Sequence, residues 1–427
     1  MGVPFRFIHA ADLHLDSPFR GLAKAPEAVR TALSSSTFYA LRRLTDAAIE
    51  NEVDFVVVAG DLFDEADRSL RAQFALVKEW ERLAEHGIAV YAIHGNHDHL
   101  GGRRAKLRLP SAVHIFGSKQ MDWAPAFTRG GELAAHVYGM SYGERSVTAN
   151  LAGTYALQDG APYHIALLHG NVGGDPSHDS YAPCALEELA GSRFDYWALG
   201  HIHKREVLNV YPHVVYAGNT QGRNPKELGA KGCYIVDVSA AGAAKLRFVA
   251  LDAVRWLEEN VSIEGVDTEQ ELLTKLNAAV AAAGAAGEDR SVMLRLKLTG
   301  SGPLHLRLKD GALAATLLEQ LQEDAVPAAG SPWMYVHGIE AATTASVDWA
   351  MLGEDEGFSG ELYRLGERLA EDEAAWRTFA KNALAEMSGH PKLGKLERRK
   401  WDELPQRWLK EGRELAIGWI AEEGDLG

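Results

Sequence analysis

A chain of 427 residues exceeds one ordinary compact domain, so two or three units are expected. With 46% apolar and 24% charged residues it has the balance of a globular protein, and no run approaches the roughly 18 uninterrupted apolar residues of a membrane span. The net charge of −15 is unevenly placed: residues 1–250 carry 25 Lys and Arg against 27 Asp and Glu, a net −2, and residues 251–427 carry 19 against 32, a net −13. A nucleic-acid partner is therefore not excluded by charge, but it calls for a local basic path rather than a basic protein. Two cysteines, Cys184 and Cys233, argue against a disulfide framework and fit buried residues in a reducing, cytoplasmic setting. The opening Met1–Ala11 carries Arg6 inside a short apolar run and has no cleavable signal pattern, so it reads as a first β-strand.

Along residues 1–250, short apolar runs alternate with helix-like stretches. Phe5–Ala10, Phe55–Ala59, Ala89–Ile93, His164–Leu168, Tyr196–Leu199, Val214–Tyr216 and Tyr234–Val238 read as strands. Tyr39–Glu50 and Ser69–Glu85 have the apolar spacing of helices. Strands interleaved with helices imply an α/β fold with its sheet covered on both faces. From about residue 251 a small α+β unit follows, with strands at Trp256–Glu264, Val292–Thr299 and Met334–Glu340 and helices at Thr268–Ala282 and Ala312–Glu323. Ala281–Gly287 and Ala325–Pro332 read as flexible connectors. From about 347 the chain turns charged and helical, with Trp376, Trp401, Trp408 and Trp419 serving either helix packing or an exposed strip for a partner.

The chemistry-bearing residues sit just behind the strands, where ligand sites of α/β sheets gather. In Ala11-Asp12-Leu13-His14, an extended strand end would put residues i and i+2 on one side, so that a carboxylate and an imidazole grip one ion. Gly60-Asp61-Leu62-Phe63-Asp64 places Asp61 at a strand tip, beside a glycine that permits a tight turn. Gly95-Asn96-His97-Asp98 supplies an amide oxygen and a further imidazole, and Leu168-His169-Gly170-Asn171 and Gly200-His201-Ile202-His203 complete the set. Each motif alone is more often a turn or a cap than a metal site. Five in order, each behind an apolar strand, do not arise readily by accident. Oxygen and nitrogen donors without a thiolate suit Mn²⁺, Fe or Zn, and suit Ca²⁺ or a structural zinc poorly.

The ordered set D-x-H, G-D-x-x-D, G-N-H-D, H and G-H-x-H resembles the calcineurin-like metallophosphoesterase superfamily over about residues 5–250. The resemblance implies a four-layer sandwich of two mixed sheets flanked by helices, and two divalent metal ions, foremost Mn²⁺. By position, Asp12, His14, Asp61 and His203 would hold one metal, and Asp61, Asn96, His169 and His201 the other, with Asp61 as the bridge. His97 would protonate the leaving oxygen, and Asp98 would either orient His97 or close the turn. A metal-activated water would attack, so no side-chain nucleophile is required, and no Ser-His-Asp or Cys-His arrangement stands out.

Three stretches narrow the resemblance. His9–Phe19, Asn171–Cys184 and Tyr216–Gly232 are similar to segments of bacterial YhaO-type DNA repair exonucleases, relatives of SbcD. What this implies is a DNA exonuclease, with endonuclease activity as an option, in which residues 1–250 form the nuclease domain and 255–345 a cap that positions DNA. Residues 347–427 would dock an SMC-like coiled-coil ATPase of the SbcC/YhaN type, and such nucleases often pair as homodimers. Arg103, Arg104, Lys106 and Arg108, with no acid between Asp98 and Asp122, and Lys204, Arg205, Arg223 and Lys226 around the last motif, are the candidate phosphate contacts. His178 could reach a phosphate as well, though a structural role suits it better. Alternatives are a phosphodiesterase or phosphatase acting on small nucleotides, and a non-catalytic scaffold of the same fold.

Overall fold

The computed structural model describes residues 2–19, 25–65, 67–102, 105, 107–174, 181–323, 331–345, 349–385 and 407–424. They form two compact units, the first of residues 1–258, 283–294 and 325–337, the second of 259–282, 295–324 and 338–427.

The first unit opens with β1 (Phe5–Ala10), α1 (Glu27–Glu50), β2 (Phe55–Ala59), α2 (Leu70–Glu85), β3 (Ala89–Ile93) and β4 (Val113–Ile115). It continues with β5 (Asp122–Phe127), β6 (Leu133–Gly139), β7 (His164–His169), α3 (Leu186–Ala190), β8 (Tyr196–Gly200), β9 (Glu206–Val210) and β10 (His213–Tyr216). β11 (Gly232–Val238) and β12 (Ala244–Ala250) close it. Two six-stranded sheets result, ordered β12-β11-β1-β2-β3-β4 and β5-β6-β7-β8-β10-β9. Both are mixed: β1, β2, β3 and β4 run parallel, as do β6, β7, β8 and β10, whereas β11, β12, β5 and β9 are antiparallel to their neighbours.

Strand alternation divides the apolar residues between layers. Phe7, Phe55, Val57 and Tyr91 of the first sheet meet Val137, Ile165, Leu167 and Tyr196 of the second, forming a core between the sheets. Ile8, Val56, Val58 and Val90 point the other way, onto Leu41 and Leu44 of α1 and Leu76, Trp80 and Leu83 of α2. The outer face of the second sheet is covered by Leu151, Leu189 and Phe194. A four-layer sandwich of two mixed sheets is therefore the architecture. α2 starts where Ser69 accepts the Ala72 N–H at 3.0 Å. α1 is twice as long as its spacing predicts. Its first half carries Ser34 and Ser36, whose hydroxyls bond back to the Thr31 and Leu33 carbonyls and blur the apolar pattern.

Next come β13 (Val254–Ser262), α4 (Glu269–Ala286), β14 (Ser291–Thr299), α5 (His305–Lys309), α6 (Ala312–Glu323) and β15 (Met334–Ala341), with the three strands in a sheet of order β13-β14-β15. Residues 281–286, expected as a connector, belong to the last turn of α4, since an alanine-rich run is a strong helix former. The chain ends with α7 (Trp349–Glu354), α8 (Phe358–Glu371), α9 (Glu373–Ala383) and α10 (Arg407–Gly424). Arg413 of α10 lies over the rings of Trp349 and Tyr363 and pairs with Glu367. Trp376 is buried, Trp408 is half exposed, and Trp401 lies outside the described residues. Among the described residues no helix is long and apolar enough to cross a membrane.

His9 of β1 locks the two sheets together. Its Nε2 lies 3.2 Å from the Leu199 carbonyl of β8 and its Nδ1 3.1 Å from the Tyr196 hydroxyl. A carbonyl only accepts, so Nε2 carries the hydrogen and the ring is neutral. Burial holds its pKa at about 3, against 6.5 for a free histidine. The unfolded chain takes up that proton first, so the stability from His9 is present above pH 6.5, fades as pH falls and is gone below about 3. Urea unfolding of wild type and His9→Gln between pH 6.5 and 5 should differ in slope, the difference growing to about 1.4 kcal/mol per pH unit near pH 5, with the variant flatter. Parallel curves would contradict it.

Candidate metal centre

The five motifs sit at the carboxyl ends of β1, β2, β3, β7 and β8 and converge on one spot. Backbone bonds knit the first two loops: Asp12 N to Gly60 O at 3.1 Å, His14 N to Asp61 O at 3.0 Å and Leu15 N to Leu62 O at 3.1 Å. Asp12 and His14 do not reach the centre as alternating residues of an extended strand. Both lie beyond β1 with left-handed backbone, φ +52° and +41°, as do Asp61 at +50° and His201 at +94°. For non-glycine residues this costs on the order of 1–3 kcal/mol each, held in place by surrounding bonds. Close approach also explains two glycines. A Cβ on Gly60, at φ +94°, would strike the His169 ring, and one on Gly200 would strike the Ala59 carbonyl.

Asp12, His14, Asp61 and His169 are fully buried, whereas His203 and His97 are partly exposed. His14 Nε2 lies 3.1 Å from His203 Nε2 and 3.6 Å from Asp61 Oδ2. His169 Nε2 lies 2.9 Å from Asn96 Oδ1 and 3.4 Å from Asp61 Oδ2. Asp12 takes the His201 N–H on both oxygens, at 3.1 and 3.2 Å, and the His201 ring centroid is 5.3 Å from that of His169. Among the described residues, three sets have donor atoms mutually within 4.8 Å: Asp12, His14 and His203; His14, Asp64 and His97; and Asp12, Asp61 and His169.

The hydrogen bonding shows whether a cation fits. His169 Nδ1 lies 2.9 Å from the Ala59 carbonyl, which only accepts, so Nδ1 carries the hydrogen. Nε2 of the neutral ring then presents a lone pair to two oxygens, which a proton or a cation must reconcile. Without a cation the proton does it: burial disfavours the charged ring, but Asp61 and then Asp12 outweigh burial and lift His169 to about 9. His203 Nδ1 lies 2.9 Å from Glu227 Oε1, so its Nε2 likewise offers a lone pair. Burial holds His14 neutral, with its pKa lowered to about 3. Burial and the neighbouring Asp61 both push Asp12 up, whereas Asp61 overcomes burial through His169 and His14 and stays well below the usual carboxylate range. Carboxylates, an amide oxygen and imidazole lone pairs around one point form a donor set that fits divalent cations.

Residues 5–205 match the family described as calcineurin-like phosphoesterase, and residues 256–344 match the middle domain of metallophosphoesterase YhaO. Metallophosphoesterase YhaO of Bacillus subtilis (strain 168) is 43% identical over 318 residues, covering 74% of this chain and 77% of that one. The chain belongs to the calcineurin-like metallophosphoesterases. More distant are DNA double-strand break repair proteins Mre11: that of Methanopyrus kandleri is 25% identical over 62% of this chain, and that of Thermoplasma acidophilum 28% identical over 51%. The chain spans about three fifths of the length of these two, 61% and 60%.

Around the donors, this metallophosphoesterase gives Asp64, which the second motif contains without a role, two contacts of its own. The Asp64 carbonyl lies 2.7 Å from His97 Nδ1, and Asp64 Oδ1 lies 3.2 Å from His14 Nδ1. The His97 N–H also donates to Asp61 Oδ1 at 3.0 Å. Asp98 does not touch His97. Its carboxylate accepts from Gly95 N at 2.8 Å and Leu62 N at 3.0 Å and lies 2.7 Å from His94 Nδ1, so of the two expected roles it performs the turn-closing one. Arg223 is not a free phosphate contact: it is largely buried and paired with Asp64, with Ser17 Oγ at 3.2 Å. Lys204 is exposed beside Glu206, and Arg205 stacks on Phe248 and bonds the Ala230 carbonyl. Arg108 and Lys226 are exposed, and Arg103, Arg104, Lys106 and His178 lie outside the described residues. Adding MnCl₂ to EDTA-treated protein should raise its unfolding midpoint, with a stabilisation of about 2.7 kcal/mol at a hundredfold excess over Kd. Asp61→Asn should lose most of that rise, and a wild type whose midpoint ignores Mn²⁺ would exclude a cation site.

Proposed function

We propose that this metallophosphoesterase is a two-metal DNA nuclease, an exonuclease that hydrolyses phosphodiester bonds and takes Mn²⁺ in both positions. The observation that carries the reading is the convergence of imidazole lone pairs and carboxylates at one partly open point. Asp12, His14, Asp61 and His203 would hold one cation and Asp61, Asn96, His169 and His201 the other, with Asp61 shared. Bound divalent cations supply Lewis acidity and positive charge to a phosphoryl group between attacking and leaving oxygens. His97 donates a hydrogen bond from Nδ1 to the Asp64 carbonyl, so in its doubly protonated form the ring would pass the Nε2 proton to the leaving oxygen and be left neutral. The attacking group would be a water, and neither Cys184 nor Cys233, buried in the apolar clusters, serves as a nucleophile. DNA as the substrate rests on the likeness to Mre11 repair proteins and on Lys204 and Arg205 beside the last motif.

With end-labelled linear DNA and Mn²⁺, wild type should shorten the DNA, and Asp61→Ala should not. His97→Ala should be slowed about 10²–10⁴-fold on DNA, where the leaving alkoxide needs a proton. On bis(p-nitrophenyl) phosphate, whose leaving group needs none, the same variant should lose far less. Intact DNA with wild type, or equal losses on both substrates, would contradict the assignment.

Residues 255–345 would position DNA, and residues 347–427 would dock a coiled-coil SMC-like ATPase, within a homodimeric assembly. Met351, Phe358, Phe379 and Trp408 are exposed large apolar residues on the described helices of that last region, as suits a partner surface. Deleting residues 347–427 should spare hydrolysis of bis(p-nitrophenyl) phosphate and abolish co-purification with the ATPase. Unchanged association would refute the docking role.

A further inference from the structure

The segment between β10 and β11, Ala217–Lys231, has no helix or strand, yet Asn219, Thr220 and Gln221 are fully buried. A loop of polar residues inside a protein is unusual, because its backbone and side chains need partners there. Here the partners fall in two groups. On the side of the metal centre, Glu227 Oε1 holds His203 Nδ1 at 2.9 Å, and Arg223 holds Asp64, which in turn reaches His14 and, through its carbonyl, His97. Glu227 is itself steered by Asn219 Nδ2 at 2.7 Å, Arg223 N at 2.7 Å and Asn224 Nδ2 at 2.8 Å. Lys231 Nζ caps the His203 carbonyl at 3.2 Å.

On the other side the loop is fastened to the start of β13. The Trp256 indole N–H donates to the Gly222 carbonyl at 2.9 Å, and Gly229 N donates to the Trp256 carbonyl at 2.9 Å. Gln221 grips the same strand, donating to Val254 O at 2.6 Å and accepting from Ala253 N at 2.7 Å. Trp256 is buried with Val29, Leu33, Met293 and Tyr335, so the fastening point is rigid.

We propose that residues 217–231 form a strap that presets the metal centre from outside it, with Glu227 and Arg223 as positioning residues and Trp256 as the remote fastener. Glu227 fixes the His203 tautomer and ring plane so that Nε2 faces His14. Arg223 holds Asp64 where it supports His14 and His97 together. None of the three touches the reacting atoms. The inference rests on the metal-binding reading above.

Calorimetric titration of the full chain with MnCl₂ tests it. Glu227→Gln should weaken one of the ions about 10–100-fold, as loss of a carboxylate partner behind a ligand histidine does, and leave the other within about twofold. Glu227→Asp, one methylene short of His203, should weaken the same ion. Trp256→Phe, which removes only the N–H to Gly222, should shift that ion in the same direction by a smaller factor. Arg223→Met should lower kcat on bis(p-nitrophenyl) phosphate with little change in KM, and Arg223→Lys should recover part of it. Unfolding midpoints in EDTA report whether each variant is folded. Folded Glu227 variants that bind both ions as wild type does would overturn the strap, whereas a wild type that binds no Mn²⁺ would overturn the metal centre itself.

Discussion

The arrangement turns on one hydrogen bond, from His169 Nδ1 to the Ala59 carbonyl. Because the carbonyl can only accept, the bond decides which nitrogen of His169 is bare, and it points that lone pair at the oxygens of Asn96 and Asp61. The conflict is resolved by a proton or a cation, and the proton keeps His169 charged up to about pH 9. A divalent cation bound there would compete with that proton for the same atom. The bond also crosses between the sheets, from β7 to the end of β2, so the sandwich and the centre depend on each other. His9 makes the corresponding link from β1 to β8 without a role at the centre.

Converging five loops this tightly requires unusual backbone. Asp12, His14, Asp61 and His201 sit at left-handed φ, and Gly60 and Gly200 leave no room for a side chain. Backbone strain at the candidate donor positions is balanced by the ladder from Asp12, His14 and Leu15 to residues 60–62, and by Asp98 closing its own loop. His97, His203 and Asp64 are the partly exposed members of the donor sets.

Much of this was legible in the sequence, for identifiable reasons. Fully buried parallel strands such as Phe55–Ala59 are continuous apolar runs, and the candidate donors follow directly at their ends. The β5–β6 hairpin escaped notice because Pro125 and four alanines depress its strand signal, which an edge position tolerates. Asp12 and His14 do lie together, but left-handed turns and not strand alternation bring them in. Arg223 looked like a surface cation because a charge gives no sign of its partner 159 residues away. Glu227 carried no spacing signal at all. Its one clue was an acid in a glycine-rich segment otherwise supplying Arg223, Lys226 and Lys231.

The most direct test is anomalous diffraction from crystals soaked in Mn²⁺ at a pH near 8. Two peaks are expected, one within bonding reach of His169 Nε2 and Asn96, one within reach of His14 and His203, with Asp61 between them. Density without a peak at His169, its ring still bonded through a proton to Asp61, would contradict the metal centre.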